Sequence, residues 1–480
     1  MAGGVRYGSP TRQARGGGGS ADAGNVELAP LGAAHDRFPS ETLKHSDIYA
    51  QYGLTGRRTC WQWMHAEGGW LMACFHIVTA IIGAGVLGLP HALSMLGWLG
   101  GCVALVSFFL VTIWCSFMLA DMHEYDGVRH ATYGDAVVNV LGRGSAFAVT
   151  VCQLLNLVLS AIGYTVAAGE SLKMVVHSRC DPEEASCGSP VWSMSLVFGV
   201  LQLGFSQMPS LEAAWWASMV GAAMSVAYST AALGMGAARA DARRLSVTGR
   251  ALPPLPKAFG AFNALGAIGF AYSFSAVLLE VQDTLHEPPA STSTMRKAVS
   301  VSLATTFVFY VTVGLTGYAA LGDGTPGNIL TGFPGPLWLV TAANFAVLVH
   351  MVPAYQVFSQ PVFHMAEAAL ERRFKGLRSG RKWPLRLVLR SAYVVATTLV
   401  ACAMPFFSDI IGLIGAIVFW PSTVYFPIAM HMKVYPPPRW KRLLMHAVNL
   451  TCFVLSILAA AGSIWNIARD AGQYKMFGRR

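Results

Sequence analysis

Beyond residue 68 the chain alternates long apolar stretches with short polar ones. The stretches run to about 20 residues or more, the length a helix needs to cross about 30 Å of hydrocarbon at 1.5 Å per residue. Eleven are recognisable. They are Trp70 to Leu93, Leu99 to Leu119, Ser145 to Val176, Val191 to Met208, Ala213 to Ala238, Phe262 to Leu279, Val299 to Leu321, Leu337 to Val357, Ser391 to Phe407, Ile410 to Met430 and Leu443 to Ile467. The ninth and tenth are nearly continuous, so ten or twelve crossings fit the same pattern. Alternating segments of about ten residues, the mark of a membrane barrel, are absent, and backbone polar groups in runs this long are satisfied in lipid only inside a helix. The pattern predicts an all-α polytopic membrane protein. Residues 1–68 form a disordered cytoplasmic tail, 69–467 the transmembrane domain and 468–480 a short C-terminal tail outside the cell.

Composition agrees, since 54% hydrophobic and 12% charged residues leave more apolar side chains than a soluble fold can hide from water. The formal charge of +10 raises nucleic acid as a partner in a soluble chain. In a membrane protein it is the position of Lys and Arg that matters, because it sets orientation. With the N-terminus inside, 23 of the 34 Lys and Arg fall on the cytoplasmic side. The densest segment, Arg372 to Arg390, belongs to that side, whereas Arg239, Arg243, Arg244, Arg250 and Lys257 oppose it. The partners expected are therefore the bilayer and small solutes, not nucleic acid.

The tail has a Gly16 to Gly19 run, scattered arginines and no apolar core, so it reads as disordered. Without an apolar core it is no signal peptide, and Asp22, Glu27, Asp36 and Glu41 argue against an organellar transit sequence. Of the nine cysteines, Cys180 and Cys187 share a polar loop that this orientation places outside, which makes them a candidate disulfide. The Asn449 sequon lies inside the last apolar run, out of reach of glycosylation.

Two runs are interrupted. The first reads Ile81-Ile82-Gly83-Ala84-Gly85-Val86-Leu87-Gly88-Leu89-Pro90, and the sixth has Gly266 and then Gly269-Phe270-Ala271-Tyr272-Ser273-Phe274-Ser275 in its middle third. Glycine and proline lower helix propensity there, and proline removes a backbone donor. Breaks in two helices five apart point to an inverted-repeat transporter with its site at the midplane. An unwound turn leaves N–H groups free at the start of one half-helix and C=O groups free at the end of the other, which suits a zwitterion. The carboxylate of an amino acid is expected at the amides of Ala84, Gly85 and Val86, and its ammonium at carbonyls of Gly83 and of Phe270 or Ala271. Close packing of small residues accounts for the same glycines.

These stretches resemble the plant permeases of the amino acid/auxin permease family. The similarity is carried by the first run, by Gly269-Phe270-Ala271-Tyr272 through Leu279-Glu280-Val281-Gln282-Asp283-Thr284, and by Ala354-Tyr355-Gln356-Val357-Phe358-Ser359-Gln360-Pro361. Pro405-Phe406-Phe407 through Gly412-Leu413-Ile414-Gly415-Ala416, Phe419-Trp420-Pro421 and Tyr425-Phe426-Pro427 extend it. The resemblance implies a leucine-transporter-like core, a 5+5 inverted repeat plus an eleventh helix, in a plasma-membrane proton/amino-acid symporter of broad range that includes neutral amino acids, with the proton as coupling ion and no other cofactor. It assigns proton coupling to His76 and His350, with Glu280 beside them, and adds Ser273 and Asn156 to the substrate set. Intramembrane histidines are functional candidates by default, although a neutral imidazole also serves as helix glue. Glu280, Gln282 and Asp283 fit either a gate or a solvated helix end, and Asn156 and Tyr164 face either substrate or a neighbouring helix. Glu170 and Lys173 form a pair that can neutralise itself. Two departures bear on substrate range. Gly88-Leu89-Pro90-His91 is closer to the lysine/histidine-transporter branch, and Thr341 stands where the permeases usually carry aspartate.

An enzyme is disfavoured: there is no His-Glu-x-x-His, no Gly-x-Ser-x-Gly and no phosphate-binding glycine loop, and neither catalytic nor metal residues are assigned. A non-transporting amino-acid receptor, or a transporter for a lysine/histidine-type or auxin-like substrate, remains an alternative built on the same pocket.

Overall fold

The structure, a computed structural model, describes residues 69–178, 189–208, 215–285, 289–373 and 382–473. The N-terminal tail and the Cys180–Cys187 pair lie outside the described residues. Within the described residues each of the eleven apolar runs is helical over most of its length. The first is split into α1 (Trp70–Ile81) and α2 (Ala84–Leu96), followed by α3 (Trp98–Ala120). A hairpin of two-residue strands, β1 (Glu124–Tyr125) and β2 (Val128–Arg129), and the short α4 (Tyr133–Leu141) lead into α5 (Arg143–His177), α6 (Val191–Phe205) and α7 (Trp215–Arg239). The sixth run is α8 (Pro254–Ala271) and α9 (Leu278–Asp283). Then come α10 (Ser291–Leu321), α11 (Leu337–Arg373) and α12 (Lys382–Ala403). The tenth run is α13 (Phe407–Val418), a π-helical turn over Phe419–Tyr425, and α14 (Phe426–Val434); α15 (Arg439–Gln473) is last. Among the described residues nine helical segments are long and apolar enough to cross a membrane, and α2 and α6 are shorter apolar helices. The protein is thus an all-helical polytopic membrane protein apart from the small hairpin.

Several boundaries differ from the sequence pattern. Helix α8 starts at Pro254, eight residues before the apolar run at Phe262, because proline suits the first turn, where its missing N–H has no partner to lose. Helix α11 continues through Pro353 and Pro361 to Arg373. Helix α15 reaches Gln473, past the predicted tail boundary at 468.

Taking the start of α1 as the near side and the end of α2 as the far side, α8 is clamped from two directions by glycine contacts. A Cβ on Gly266 would overlap the carbonyl of Gly412 on α13, and one on Gly415 would overlap the carbonyl of Gly266. On α15 a Cβ at Gly462 would come to 2.6 Å from Phe259 O and 2.7 Å from Asn263 N. Small residues let helix backbones approach where lipid supplies no hydrophobic force between them. The outer faces are apolar: Phe147 is 74% exposed and Leu450 64% exposed, as expected of side chains that face lipid. On the near side, buried Arg390 of α12 pairs with Glu367 of α11 at 3.0 Å and donates to Ser206 O (3.0 Å) and Met208 O (2.8 Å). One arginine of the densest basic segment is therefore a brace among three helices rather than a surface charge.

Candidate functional site

Helix α1 stops where Ile82 N–H closes its last turn on Val78 O at 2.7 Å, and Gly83 takes an extended conformation (φ −135, ψ −141). Helix α2 restarts at Ala84. First-turn amides lack a carbonyl in their own helix, so those of Ala84 and Gly85 are the available donors. Val86 N–H is already directed to Gly83 O at 3.3 Å. The break meets its counterpart directly: a Cβ on Gly85 would lie 3.0 Å from Ala271 Cα and 3.6 Å from the Phe270 ring. Helix α8 ends at Ala271, with Tyr272 N–H donating to Gly269 O (3.2 Å) and Ser273 N–H to Phe270 O (3.0 Å). Ser273 Oγ also donates to Gly269 O at 2.8 Å, and the chain turns through Ser275–Val277 before α9. Gly269 O thus accepts twice, whereas Phe270 O, bonded by Ser273 N–H, retains a second lone pair.

A residue that sequence reasoning missed holds the two breaks together. Tyr310, fully buried on α10, donates its hydroxyl to Ile81 O at 2.6 Å and lies 3.0 Å from Ala271 O. Its ring packs edge-on against Tyr272, centroids 5.4 Å apart. Nothing in the apolar run around Phe309-Tyr310 distinguishes this tyrosine from core.

His350 joins the same place from α11. It is buried, and its Nδ1 donates to Gly221 O on α7 at 2.7 Å. A carbonyl only accepts, so the Nδ1 proton is fixed and Nε2 carries the lone pair. That Nε2 is 3.8 Å from the position a Cβ on Gly83 would take, so the unprotonated edge of the ring faces the α1–α2 break. Tyr228 of α7 packs edge-on to the imidazole at 5.7 Å. His76 is placed differently. It lies on an exposed face of α1 beside Phe75, which is 56% exposed, and is not brought to His350.

The remaining candidates divide among the bundle interior, the far side and the near side. Asn156 is buried on α5, its Oδ1 accepting from Ser160 Oγ at 3.3 Å; Tyr164 packs edge-on to Phe358 at 5.2 Å. Glu170 accepts from Asn328 of the α10–α11 connection at 3.2 Å. Glu280, half-buried on α9, accepts from the Tyr133 amide at 3.4 Å, away from the helix breaks and within a near-side cluster. There Asp283 accepts from Arg129 Nε at 2.7 Å, while Arg129 also donates to the Asp283 carbonyl at 2.8 Å. His123 Nε2 lies 3.3 Å from the same carboxylate and its Nδ1 3.2 Å from Ser291 Oγ. Burial pushes the His123 imidazole down from its ordinary value despite the raising effect of Asp283. Gln282 Nε2 closes the group on Ala120 O at 3.0 Å. The hairpin, α9 and the starts of α4 and α10 are thereby latched together. In the sequence His123 shows only as half of a His-Glu loop pair.

An apolar cavity of about 220 Å³, lined by Phe108, Gly269, Phe419 and Thr451 among others, lies on the other face of α8 and holds none of the predicted site residues. Among the described residues no group of three His, Cys, Asp or Glu side chains is arranged to hold a metal.

Two broken helices meeting at the centre of a polytopic bundle, with a buried histidine aimed at the junction, define a membrane transporter. Residues 66–469 match the family described as transmembrane amino acid transporter protein, and the chain belongs to that family. It is 40% identical to amino acid permease 2 of Arabidopsis thaliana over 481 residues, covering 93% of this chain and 94% of the relative. Amino acid permease 3 of the same plant is 39% identical, covering 84% and 92%, and amino acid permease 1 is 38% identical, covering 85% and 91%. The protein is a transporter for amino acids and not an enzyme.

Proposed function

We propose that the protein is a proton-coupled symporter that carries amino acids, neutral ones among them, into the cell across the plasma membrane. The observation that carries the reading is the placement of His350 Nε2 against the α1–α2 break. A proton taken up on that nitrogen sits beside the bound zwitterion, so proton and substrate occupancy influence one another. The substrate carboxylate is held by the Ala84 and Gly85 amides at the positive end of α2. Its ammonium takes the unused lone pairs at the end of α8, around Phe270, Ala271 and Ser273, and Asn156 of α5 belongs to the same substrate set. Glycine at 85 lets the start of α2 approach the end of α8 closely enough for both to reach one ligand. His76 and Glu280 belong to the near-side approach rather than to the junction, and act there if they carry protons.

The near side is the cytoplasm in this reading, in keeping with the 23 of 34 basic residues assigned to it. The five-plus-five inverted repeat with an eleventh helix is the architecture that sets the two breaks five runs apart. Uptake of labelled amino acids by cells lacking their own permeases tests the proposal. Saturable accumulation above the external concentration is expected. Binding without uptake supports a receptor, and filling only to equality supports a uniporter.

A further inference from the structure

Asp409 stands in the first turn of α13, buried near the far side. Its Oδ1 accepts from Asn263 Nδ2 of α8 at 3.0 Å and from Asn466 Nδ2 of α15 at 3.2 Å. Asn263 is engaged on its other side, its Oδ1 accepting from Ser463 Oγ at 2.7 Å and its Nδ2 reaching Ser408 O at 3.4 Å. No described Lys or Arg pairs with the carboxylate: Arg469 and Asp470, the charged groups on this stretch of α15, pair with each other at 2.9 Å. The titratable groups at the same end of the other helices against α13 are already held. Glu170 on α5 is bonded by Asn328, and His91 on α2 has its Nδ1 2.9 Å from Thr325 O.

A buried carboxylate with no cation is costly in a membrane, whereas two amide donors favour its charged form. The two influences oppose each other. Both asparagine donors converge on Oδ1, so a proton goes to the other oxygen and turns a charged acceptor into a neutral one, which weakens the bonds from Asn263 and Asn466 together. A change of charge at Asp409 is therefore passed to the helices. Asn263 is two turns above Phe270, so about 10 Å along α8 separates this network from the carbonyls assigned to the substrate ammonium.

We propose that Asp409 is a proton-binding positioning residue: by exchanging a proton with the far-side solution it alters the hold of α13 and α15 on α8, and through α8 the affinity of the site. The proton returns to the side from which it came. This rests on the transport reading above, so the experiment has one arm that depends on transport and one that does not.

The first arm measures KM for a neutral amino acid against external pH in wild type, Asp409→Asn, Asp409→Glu and Asn466→Leu, with surface protein quantified. In Asp409→Asn the variation of KM between pH 5 and 7.5 is expected to be smaller than in wild type by about twofold or more, the variation that remains being that of His350, and Asp409→Glu restores the full variation. Asn466→Leu keeps the carboxylate but removes a donor to its charged form, so its profile moves about half a pH unit or more toward alkaline values. The second arm follows thermal unfolding of the purified full chain against pH. The step present in wild type is absent in Asp409→Asn and displaced in Asn466→Leu. Wild-type profiles in Asp409→Asn, or in Asn466→Leu should the first variant fail to fold, overturn the proposal. Absence of transport by the wild type would overturn the transport reading instead, leaving the unfolding arm to decide on Asp409.

Discussion

Gly85 occupies the point where the start of α2 meets the end of α8, and any Cβ there presses on Ala271 Cα at 3.0 Å. Gly85→Leu is therefore expected to abolish uptake while the protein still reaches the surface, because the intrusion is local and falls at the turn proposed to hold the carboxylate. Surface labelling and initial uptake measured together check this, and a normal rate in the variant would remove the carboxylate from that turn. Tyr310 gives a milder case. Tyr310→Phe keeps the buried ring but leaves the carbonyls of Ile81 and Ala271 without its hydroxyl, a cost of about 1–3 kcal/mol. Uptake should fall several-fold with protein yield largely kept, read by the same pair of measurements. His350→Gln retains a donor for Gly221 O but cannot titrate, so it should flatten the pH dependence of transport more than it lowers surface expression.

Elements move as groups, and the near-side latch decides which groups are tied. Arg129 and Asp283 are each partly exposed, so loss of their ion pair in Arg129→Ala is worth about 1 kcal/mol, or roughly a fivefold shift toward an open near side. A cysteine introduced at Ser273 should then react faster with a thiol reagent applied from the near side. The same latch responds to acid. His123 is held neutral with its proton affinity below the ordinary value of about 6.5, so a state that releases it binds more protons. Its contribution is complete above that value and is lost as the pH on the near side falls below it toward the lowered one. Labelling at position 273 should accordingly quicken on mild acidification, and His123→Gln should remove that response. These contacts were not legible in the sequence because Arg129, His123 and Asp283 come from segments about 160 residues apart, and only packing brings them together. The breaks in α1–α2 and α8–α9 were legible, since glycine and proline in a span mark where a helix gives way. The π-helical turn over Phe419–Tyr425 lies between: Pro421 announces an interruption, but only the structure shows the widened turn that presents Ser422 O to the Tyr133 hydroxyl at 2.6 Å.

For the whole molecule, the helical class and the order of the long apolar helices among the described residues followed from the lengths of apolar runs, because the bilayer fixes how long a crossing must be. Which buried polar groups matter did not follow, since an intramembrane Asp409 or Tyr310 looks like any other residue in an apolar run until its partners are known. The central claim is coupling. One proton moving with a zwitterion carries one net charge, worth about 2.3 kcal/mol per 100 mV of membrane potential. A gradient of about two pH units adds roughly 2.7 kcal/mol, and together these support accumulation on the order of a thousandfold or more. Voltage clamp of a cell expressing the full chain, bathed in sodium-free medium, tests this most directly. Neutral amino acids should evoke an inward current that grows as external pH falls from neutral toward about 5. Uptake that requires sodium and ignores external pH would contradict the account.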